Sequence, residues 1–193
     1  MALTLDARRL ALVLIDLQKG ILGMDVAPHR AADVLARAVG LARATAEAGG
    51  LVVLVRVAFA ADEADRLRQP VDAPMASPPG GPPADWADLA PELTAIPHLV
   101  VTKRQWGAFH GTELDTQLRR RGIDTILLGG IATNLGVEQT GREAWQHNYA
   151  VVLASDACTS IDAAAHEFAL RAIFPRIARV RPTAEIVEAL KSQ

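Results

Sequence analysis

The sequence predicts an α/β protein, a three-layer α/β/α sandwich around a mostly parallel, doubly wound sheet of six strands. Short apolar runs alternate with longer amphipathic stretches along the chain, as strands and helices do in such folds. The runs are almost continuously apolar, which is typical of parallel strands that are buried on both faces. The chain has 193 residues, of which 50% are hydrophobic, so we expect residues 1–193 to form a single domain with a sizeable core.

The strands are predicted where apolar, mostly β-branched residues follow one another without interruption. These segments are Leu10–Ile15, Leu51–Val57, Leu99–Val101, Thr125–Leu128, Ala150–Ala154 and Ile177–Val180.

The helices are predicted between the strands, where apolar residues recur at helical spacing. The first follows Pro28 and runs to about Ala48, with Gly49 and Gly50 as its C-terminal stop. The later helices are Thr112–Arg121, Leu135–His147, Asp162–Ile173 and Thr183–Lys191.

A proline-rich excursion at about residues 70–91 interrupts this alternation. Seven of the 11 prolines lie there, and proline fixes φ and lacks the backbone donor of a regular helix or central strand. The excursion is either a surface connection between two α/β units or a loop that overhangs a pocket or packs on a neighbouring subunit. In both cases we expect Trp86 to anchor it.

Composition excludes several classes of function. Lysine and arginine number 20 against 22 acidic residues, a net charge of −2, which argues against nucleic-acid binding. The six apolar residues Leu10–Ile15 are far too few to span a membrane. A single cysteine, Cys158, allows neither an internal disulfide nor a cysteine-based zinc site. We therefore expect a cytoplasmic protein without a metal or cofactor, and no membrane or nucleic-acid partner.

Polar residues that directly follow strands are the candidates for a functional site, because ligands bind at the carboxyl edge of such sheets. Asp16 follows six apolar residues, and a buried carboxylate needs a proton, a cation or hydrogen bonds. Lys103 follows another strand and could supply the cation. Such a pair is suited to acid–base chemistry, although a purely structural ion pair has the same pattern.

The third polar feature is the strand-to-helix turn 129–134. Its glycines lack the spacing of a dinucleotide fingerprint, and no Lys-Ser or Lys-Thr pair closes a phosphate loop. A helix start offers free N–H groups to an anion or an oxyanion.

Taken in order, five segments resemble the isochorismatase-like hydrolase superfamily, and only the proline-rich middle lies outside the resemblance. The segments are Ala11–Gln18, Lys103 with Trp106–Thr112, Leu118–Thr125, Gly130–Thr140 and Ser155–Ala157.

The resemblance implies a catalytic site built on Asp16, Lys103 and Gly136. Most members are cysteine hydrolases that cleave amides with an aspartate, a lysine and a cysteine. Asp16 and Lys103 match the first two, but the cysteine position is Gly136, which has no nucleophile. The isochorismatases also have glycine there, and they hydrolyse a vinyl ether without a covalent intermediate. In that scheme Asp16 is the general acid, Lys103 orients it, and Cys158 is structural.

The resemblance also implies residues that line the substrate pocket. The backbone at Ala132 is expected there, with a cis peptide between Ile131 and Ala132, and Thr133 and Asn134 complete a turn like that of the amidase branch. Other candidates are Gln18, which is either a substrate hydrogen-bonder or a turn residue, and Trp106 and Phe109, which either line the pocket or fix their loop. Substrate contacts of His110 and of the cations Lys19, Arg56 and Arg104 stay open.

We therefore predict a hydrolase of a small-molecule substrate that uses Asp16 and Lys103 around an activated water. The alternatives are an amidase that activates water in place of the thiol, and a binding or scaffold protein without turnover. The resemblance also implies a homodimer or homotetramer.

Overall fold

The computed structural model describes residues 3–74 and 81–192. Its centre is a six-stranded sheet in the order β3-β2-β1-β4-β5-β6, in which every neighbouring pair is parallel. This confirms the predicted α/β class and the parallel, doubly wound sheet. The strands are β1 (Leu10–Ile15), β2 (Leu51–Val57), β3 (Leu99–Lys103), β4 (Thr125–Ile131), β5 (Ala150–Thr159) and β6 (Arg179–Arg181).

Helices connect the strands and cover both faces of the sheet. Two of them, α1 and α3, are single turns that the apolar periodicity did not predict. The helices are α1 (Lys19–Leu22), α2 (Ala31–Glu47), α3 (Pro91–Thr94), α4 (Leu114–Arg120), α5 (Glu138–Gln146), α6 (Ala163–Phe168) and α7 (Thr183–Lys191).

Strand β1 shows how the sequence builds two cores from one apolar run. Leu10, Leu12 and Leu14 face α2 and α7, whereas Ala11 and Val13 pack on the other face with residues of α4 and α5. Side chains alternate between the faces of a strand, so a strand between two helical layers needs apolar residues at every position. The result is the predicted three-layer sandwich.

Strands β4 and β5 extend beyond the predicted ends because glycine and a register shift allow it. Gly130 pairs with Ile15 of β1, and its φ is +125°. A Cβ atom there would lie 2.1 Å from the carbonyl oxygen of Ile15, so only glycine permits this close approach. The β4–β5 register shifts between Leu128 and Gly130, and β5 then continues to Thr159.

Two predicted helices contain a π-helical turn at one end. The predicted helix from Leu135 starts instead with a π turn at Thr133–Val137 before α5. The predicted helix Asp162–Ile173 is α6 followed by a π turn at Ala169–Ile173. Such short π turns occur within or beside α-helices, and the apolar pattern did not distinguish them from α-helix here.

The described end of the proline-rich excursion is fastened to the chain directly after Asp16. Gly20 N donates to the Trp86 carbonyl, and a Cβ atom at position 20 would lie within 1.9 Å of the Trp86 indole. Lys19 forms ion pairs with Asp85 and Asp88. Trp86 is thus an anchor, as expected. Residues 75–80, in the middle of the excursion, lie outside the described residues.

The strand order places a topological switch point between β1 and β4, because the chain leaves these neighbouring strands in opposite directions. Ligands bind at such points in open α/β sheets. Asp16 follows β1, and the turn with Gly136 follows β4. No helix in the described part of the chain is long and apolar enough to cross a membrane.

Candidate active site

Asp16 is held in a sparsely populated backbone conformation at the end of β1. Its φ is +55°, in the left-handed region that aspartate tolerates better than most residues. Its N–H still donates to the Val55 carbonyl of β2 at 2.9 Å, so the turn begins while the backbone remains in the sheet. The residue as a whole is only 6% exposed.

The Lys103 side chain extends past the end of β2 to reach Asp16. It is the last residue of β3, two strands from β1, and it is 2% exposed. Its Nζ donates to Asp16 Oδ2 at 2.8 Å and to the Trp106 carbonyl at 2.6 Å. The structure therefore brings together the carboxylate and ammonium that the sequence predicted as a pair.

The cost of burying the Asp16 carboxyl is only partly offset by its contacts with the protein. Its Oδ1 is buried and has no hydrogen-bond partner among the described residues. Burial raises the pKa of this carboxyl from 3.8 to about 6, and the Lys103 charge and hydrogen bond limit the rise. An acid with such a pKa can both donate and accept a proton near neutral pH.

Gly136 lies directly against this pair. A Cβ atom at position 136 would be 3.1 Å from Lys103 Nζ, 3.3 Å from Asp16 Oδ2 and 3.1 Å from Ile15 Cγ2. A side chain in this position would therefore touch both charged groups. The three residues that the resemblance selected come from three separate segments and meet at one point.

The turn that leads to Gly136 has its polar side chains engaged within the protein. The peptide between Ile131 and Ala132 is cis, as the resemblance implies. Thr133 is buried, and its hydroxyl hydrogen-bonds His166 Nδ1 at 2.8 Å. Asn134 Oδ1 accepts a hydrogen bond from Ser160 Oγ. These contacts indicate that Thr133 and Asn134 shape the turn.

Trp106 combines a buried backbone contact with an exposed side chain. Its carbonyl accepts from Lys103, whereas the residue is 52% exposed. It lines an open depression of about 310 Å³ together with Leu67, Gln105, Gly107, His110, Gln139 and Glu143. None of Asp16, Lys103 and Gly136 lines this depression, so it lies beside the ion pair and the two are joined through Trp106.

Two residues that were predicted to contact the substrate have their side chains engaged within the protein. Gln18 is fully buried, and its side-chain amide forms hydrogen bonds with backbone atoms. Nε2 donates to the carbonyls of Val57 and Trp86, and Oε1 accepts from Val57 N. Phe109 is buried and stacked on His147 at a centroid distance of 5.1 Å. Both side chains hold segments together and offer no free group to a ligand.

The three cations whose contact with substrate the sequence left undecided also have partners elsewhere in the protein. Lys19 pairs with acidic residues of the excursion, and Arg104 pairs with Asp65. Arg56 donates from Nε to Thr102 Oγ1 at 3.2 Å, along the β2–β3 edge. Lys103 is thus the cation that this geometry assigns to the site.

Cys158 is inert in this structure. It is fully buried in β5, and burial raises the pKa of its thiol to about 12. In the described part of the chain no cluster of three or more histidine, cysteine or acidic side chains could hold a metal ion.

Two buried polar residues have roles that the sequence did not reveal. His166 is buried and its ring hydrogen-bonds Thr133, and burial lowers the pKa of its imidazole. Thr140 hydrogen-bonds both the Gly136 carbonyl and the N–H of Ala108. Their only sequence signal is a polar residue on the apolar face of a helix.

Comparison with known proteins found matches that cover most of the chain. The family model described as "Isochorismatase domain" matches residues 10–185. An uncharacterised isochorismatase family protein, YecD of Escherichia coli O157:H7, is 50% identical over 189 residues, which cover 97% of this chain and 100% of YecD. The structure of an isochorismatase family protein from Burkholderia thailandensis superimposes with a TM-score of 0.92 at 42% identity, covering 99% of this chain and all of that one.

A partial match reaches a protein with a named activity. Ureidoacrylate amidohydrolase RutB of Methylorubrum extorquens is 40% identical over 70 residues, which are 36% of this chain and 28% of RutB. The family match, by contrast, includes both strands that carry the ion pair and the turn with Gly136. The chain belongs to the isochorismatase family.

Proposed function

We propose that the protein is a hydrolase of a small metabolite in which Asp16 transfers the proton, Lys103 holds Asp16 in place and water is the nucleophile. The observation that carries the proposal is the buried Asp16–Lys103 pair, in which Asp16 Oδ1 is left without a partner among the described residues, beside a residue that has no side chain. An unpaired buried carboxylate oxygen is costly, and a bound substrate or water can offset that cost by donating to it.

The proton-donating form of Asp16 is accessible at neutral pH. With a pKa of about 6, about one carboxyl in ten is protonated at pH 7. A general acid works best with a pKa near the working pH, and burial provides this here. Lys103 opposes full neutralisation, so the same group can return to the carboxylate and take up a proton at the end of the cycle.

An enol ether is the substrate class that suits this acid best. Asp16 gives its proton to the terminal alkene carbon, which leaves an oxocarbenium ion at the ether carbon. Water adds to that carbon and loses a proton to the Asp16 carboxylate. The resulting hemiketal breaks its C–O bond to release an alcohol and a ketone, so that no atom of the protein becomes bonded to the substrate.

The absence of a thiol at position 136 supports this route over acyl transfer. Gly136 offers no nucleophile, and Cys158 is buried with a raised pKa, so neither residue can form a thioester. A Cβ atom there would lie only 3.1–3.3 Å from Lys103 Nζ and Asp16 Oδ2, so glycine lets the backbone pass this close to both charged groups.

The charge balance of the site limits the substrate. Lys19 and Arg104 are paired with acidic neighbours and Lys103 is paired with Asp16, whereas Arg56 has one hydrogen bond to Thr102 and no ion pair among the described residues. A substrate with two or more carboxylates lacks matching cations here, so we expect a neutral compound or one with a single anionic group.

A screen of enol ethers and amides, with Asp16→Asn as the matched inactive variant, tests the proposal. We expect enol-ether turnover that is lost in Asp16→Asn and whose kcat/KM falls as the pH rises through about 6, because the acid form disappears. Retention of turnover in Asp16→Asn would refute the assignment. Cys158→Ala should turn over like the natural protein.

Amide hydrolysis by an activated water is the second candidate, because the matched segment of RutB belongs to an amidohydrolase. Asp16 would then act as the base, and kcat/KM would rise through about pH 6 instead of falling. Ammonia release from an amide library with that pH dependence favours this candidate. Ligand binding without turnover of either class favours a binding protein.

A further inference from the structure

We propose that Thr140 is a positioning residue that fixes Lys103 and Gly136 relative to each other through its hydroxyl group. This inference rests on the proposed function of the Asp16–Lys103 pair, but its test below measures the pair itself.

The Thr140 hydroxyl bonds to both halves of the site at once. It donates to the Gly136 carbonyl at 2.6 Å and accepts from the N–H of Ala108 at 3.2 Å. The residue is fully buried, so water cannot substitute for either partner. One oxygen atom therefore connects the turn after β4 with the loop after β3.

The loop after β3 determines the position of the Lys103 ammonium. Lys103 Nζ donates to the Trp106 carbonyl at 2.6 Å, two residues before Ala108. Fixing Ala108 thus limits the movement of the Trp106 carbonyl. Because a buried ammonium needs acceptors for its N–H groups, this carbonyl helps to hold the Lys103 ammonium in place and directed at Asp16.

Glu143 makes a second attachment on the same helix. Its Oε2 accepts from the N–H of Phe109 at 3.1 Å, so consecutive N–H groups of the loop are bound by consecutive turns of α5. A Cβ atom at Gly107 would lie 2.3 Å from Glu143 Oε1, so the loop packs tightly there. Glu143 holds the loop to α5, whereas Thr140 also holds Gly136.

Loss of the Thr140 hydroxyl should change the titration of Asp16. Lys103 is the charged group that lowers the Asp16 pKa, by Coulomb attraction and by a hydrogen bond. With Ala108 released and the Trp106 carbonyl displaced, Lys103 is held less firmly. The Asp16 carboxyl should then titrate at higher pH.

The experiment compares Thr140→Val with Thr140→Ser by carboxyl ¹³C NMR titration of Asp16, whose signal is assigned by its loss in Asp16→Asn. Valine keeps the shape of threonine and lacks the hydroxyl, whereas serine keeps both hydrogen bonds. We expect the Asp16 midpoint to rise by roughly half a pH unit or more in Thr140→Val and to stay at its natural value in Thr140→Ser.

Ala144→Gly is the matched control, because it destabilises α5 at a buried position without removing either hydrogen bond. An Asp16 midpoint in Thr140→Val equal to that of Ala144→Gly overturns the inference. Should Thr140→Val fail to fold, Thr140→Ala replaces it, with the same rise expected and the same refuting result.

Failure of the proposed function gives a different result. If Asp16→Asn retains turnover while Thr140→Val still shifts the titration, the pair is positioned as inferred but does not perform the chemistry.

Discussion

The stability of the natural protein relative to Asp16→Asn should fall as the pH rises, the opposite of what a stabilising salt bridge gives. The folded-state pKa of Asp16 is about 6, above the 3.8 of an unfolded carboxyl, so the folded protein binds this proton more tightly. The resulting stabilisation is fully present below pH 3.8 and is lost as the pH passes through about 6. Its full amplitude is about 3 kcal/mol, of which about 2 kcal/mol disappears between about pH 4.5 and pH 7.

Urea unfolding of both proteins at half-unit pH intervals measures this difference, since the other carboxylates cancel in the subtraction. The same change corresponds to about 5 °C in relative Tm for a chain of this size. The stability difference between the natural protein and Asp33→Asn should have the opposite pH dependence. The hydrogen bond from Arg30 lowers the pKa of Asp33, so the stabilising contribution of Asp33 is lost as the pH falls. If the stability difference between the natural protein and Asp16→Asn stays flat or rises with pH, Lys103 outweighs burial in setting the Asp16 pKa. The general-acid role of Asp16 would then lose its physical basis.

Further variants test the site and its frame. Gly136→Cys should give a thiol that iodoacetamide labels near neutral pH, because its Cβ would lie 3.1 Å from Lys103 Nζ. Peptide mapping should find Cys158 unlabelled. Equal labelling of the two cysteines would contradict this prediction. Lys103→Met should lower kcat by roughly 100-fold or more, because Lys103 no longer holds Asp16 in place. It should also move the pH limit of activity upward, since the charge that lowers the Asp16 pKa is gone. Gln18→Leu should lower the free energy of unfolding by about 3 kcal/mol, measured in urea, because it leaves three backbone hydrogen bonds unmade; a change below about 1 kcal/mol would return Gln18 to the substrate candidates.

The sequence was informative about the sheet because each strand is a nearly unbroken apolar run. The predicted strand over Leu10–Ile15 matches β1 at both ends, and α7 matches its predicted range. The end of β5 was missed because Ser155 and Asp156 look like the start of a loop. In the folded chain Asp156 instead accepts from Thr183 N and Oγ1 at the start of α7, so a polar residue is tolerated within the strand.

The two charged groups of the proposed site were predictable because burial of a charge is visible in sequence. Asp16 directly follows six apolar residues, and Lys103 ends another strand. Gln18 and Phe109 were not predictable, since only the folded backbone decides whether an amide or a ring near the site faces inward. Their partners, Val57 and His147, lie 39 and 38 residues away along the chain.

The placement of the pair at the switch point also accounts for its burial. Lys103 reaches Asp16 from two strands away, which a shorter side chain could not do, and its stem then fills space that an apolar residue would otherwise occupy. An ion pair in such a position is commonly no more stable than an apolar replacement, so stability alone does not account for it. A carboxyl oxygen that finds no partner in the described part of the chain makes the arrangement still less favourable for the free protein. That deficit is what a substrate with a hydrogen-bond donor at this atom, or a carbon ready to take the proton, would relieve on binding.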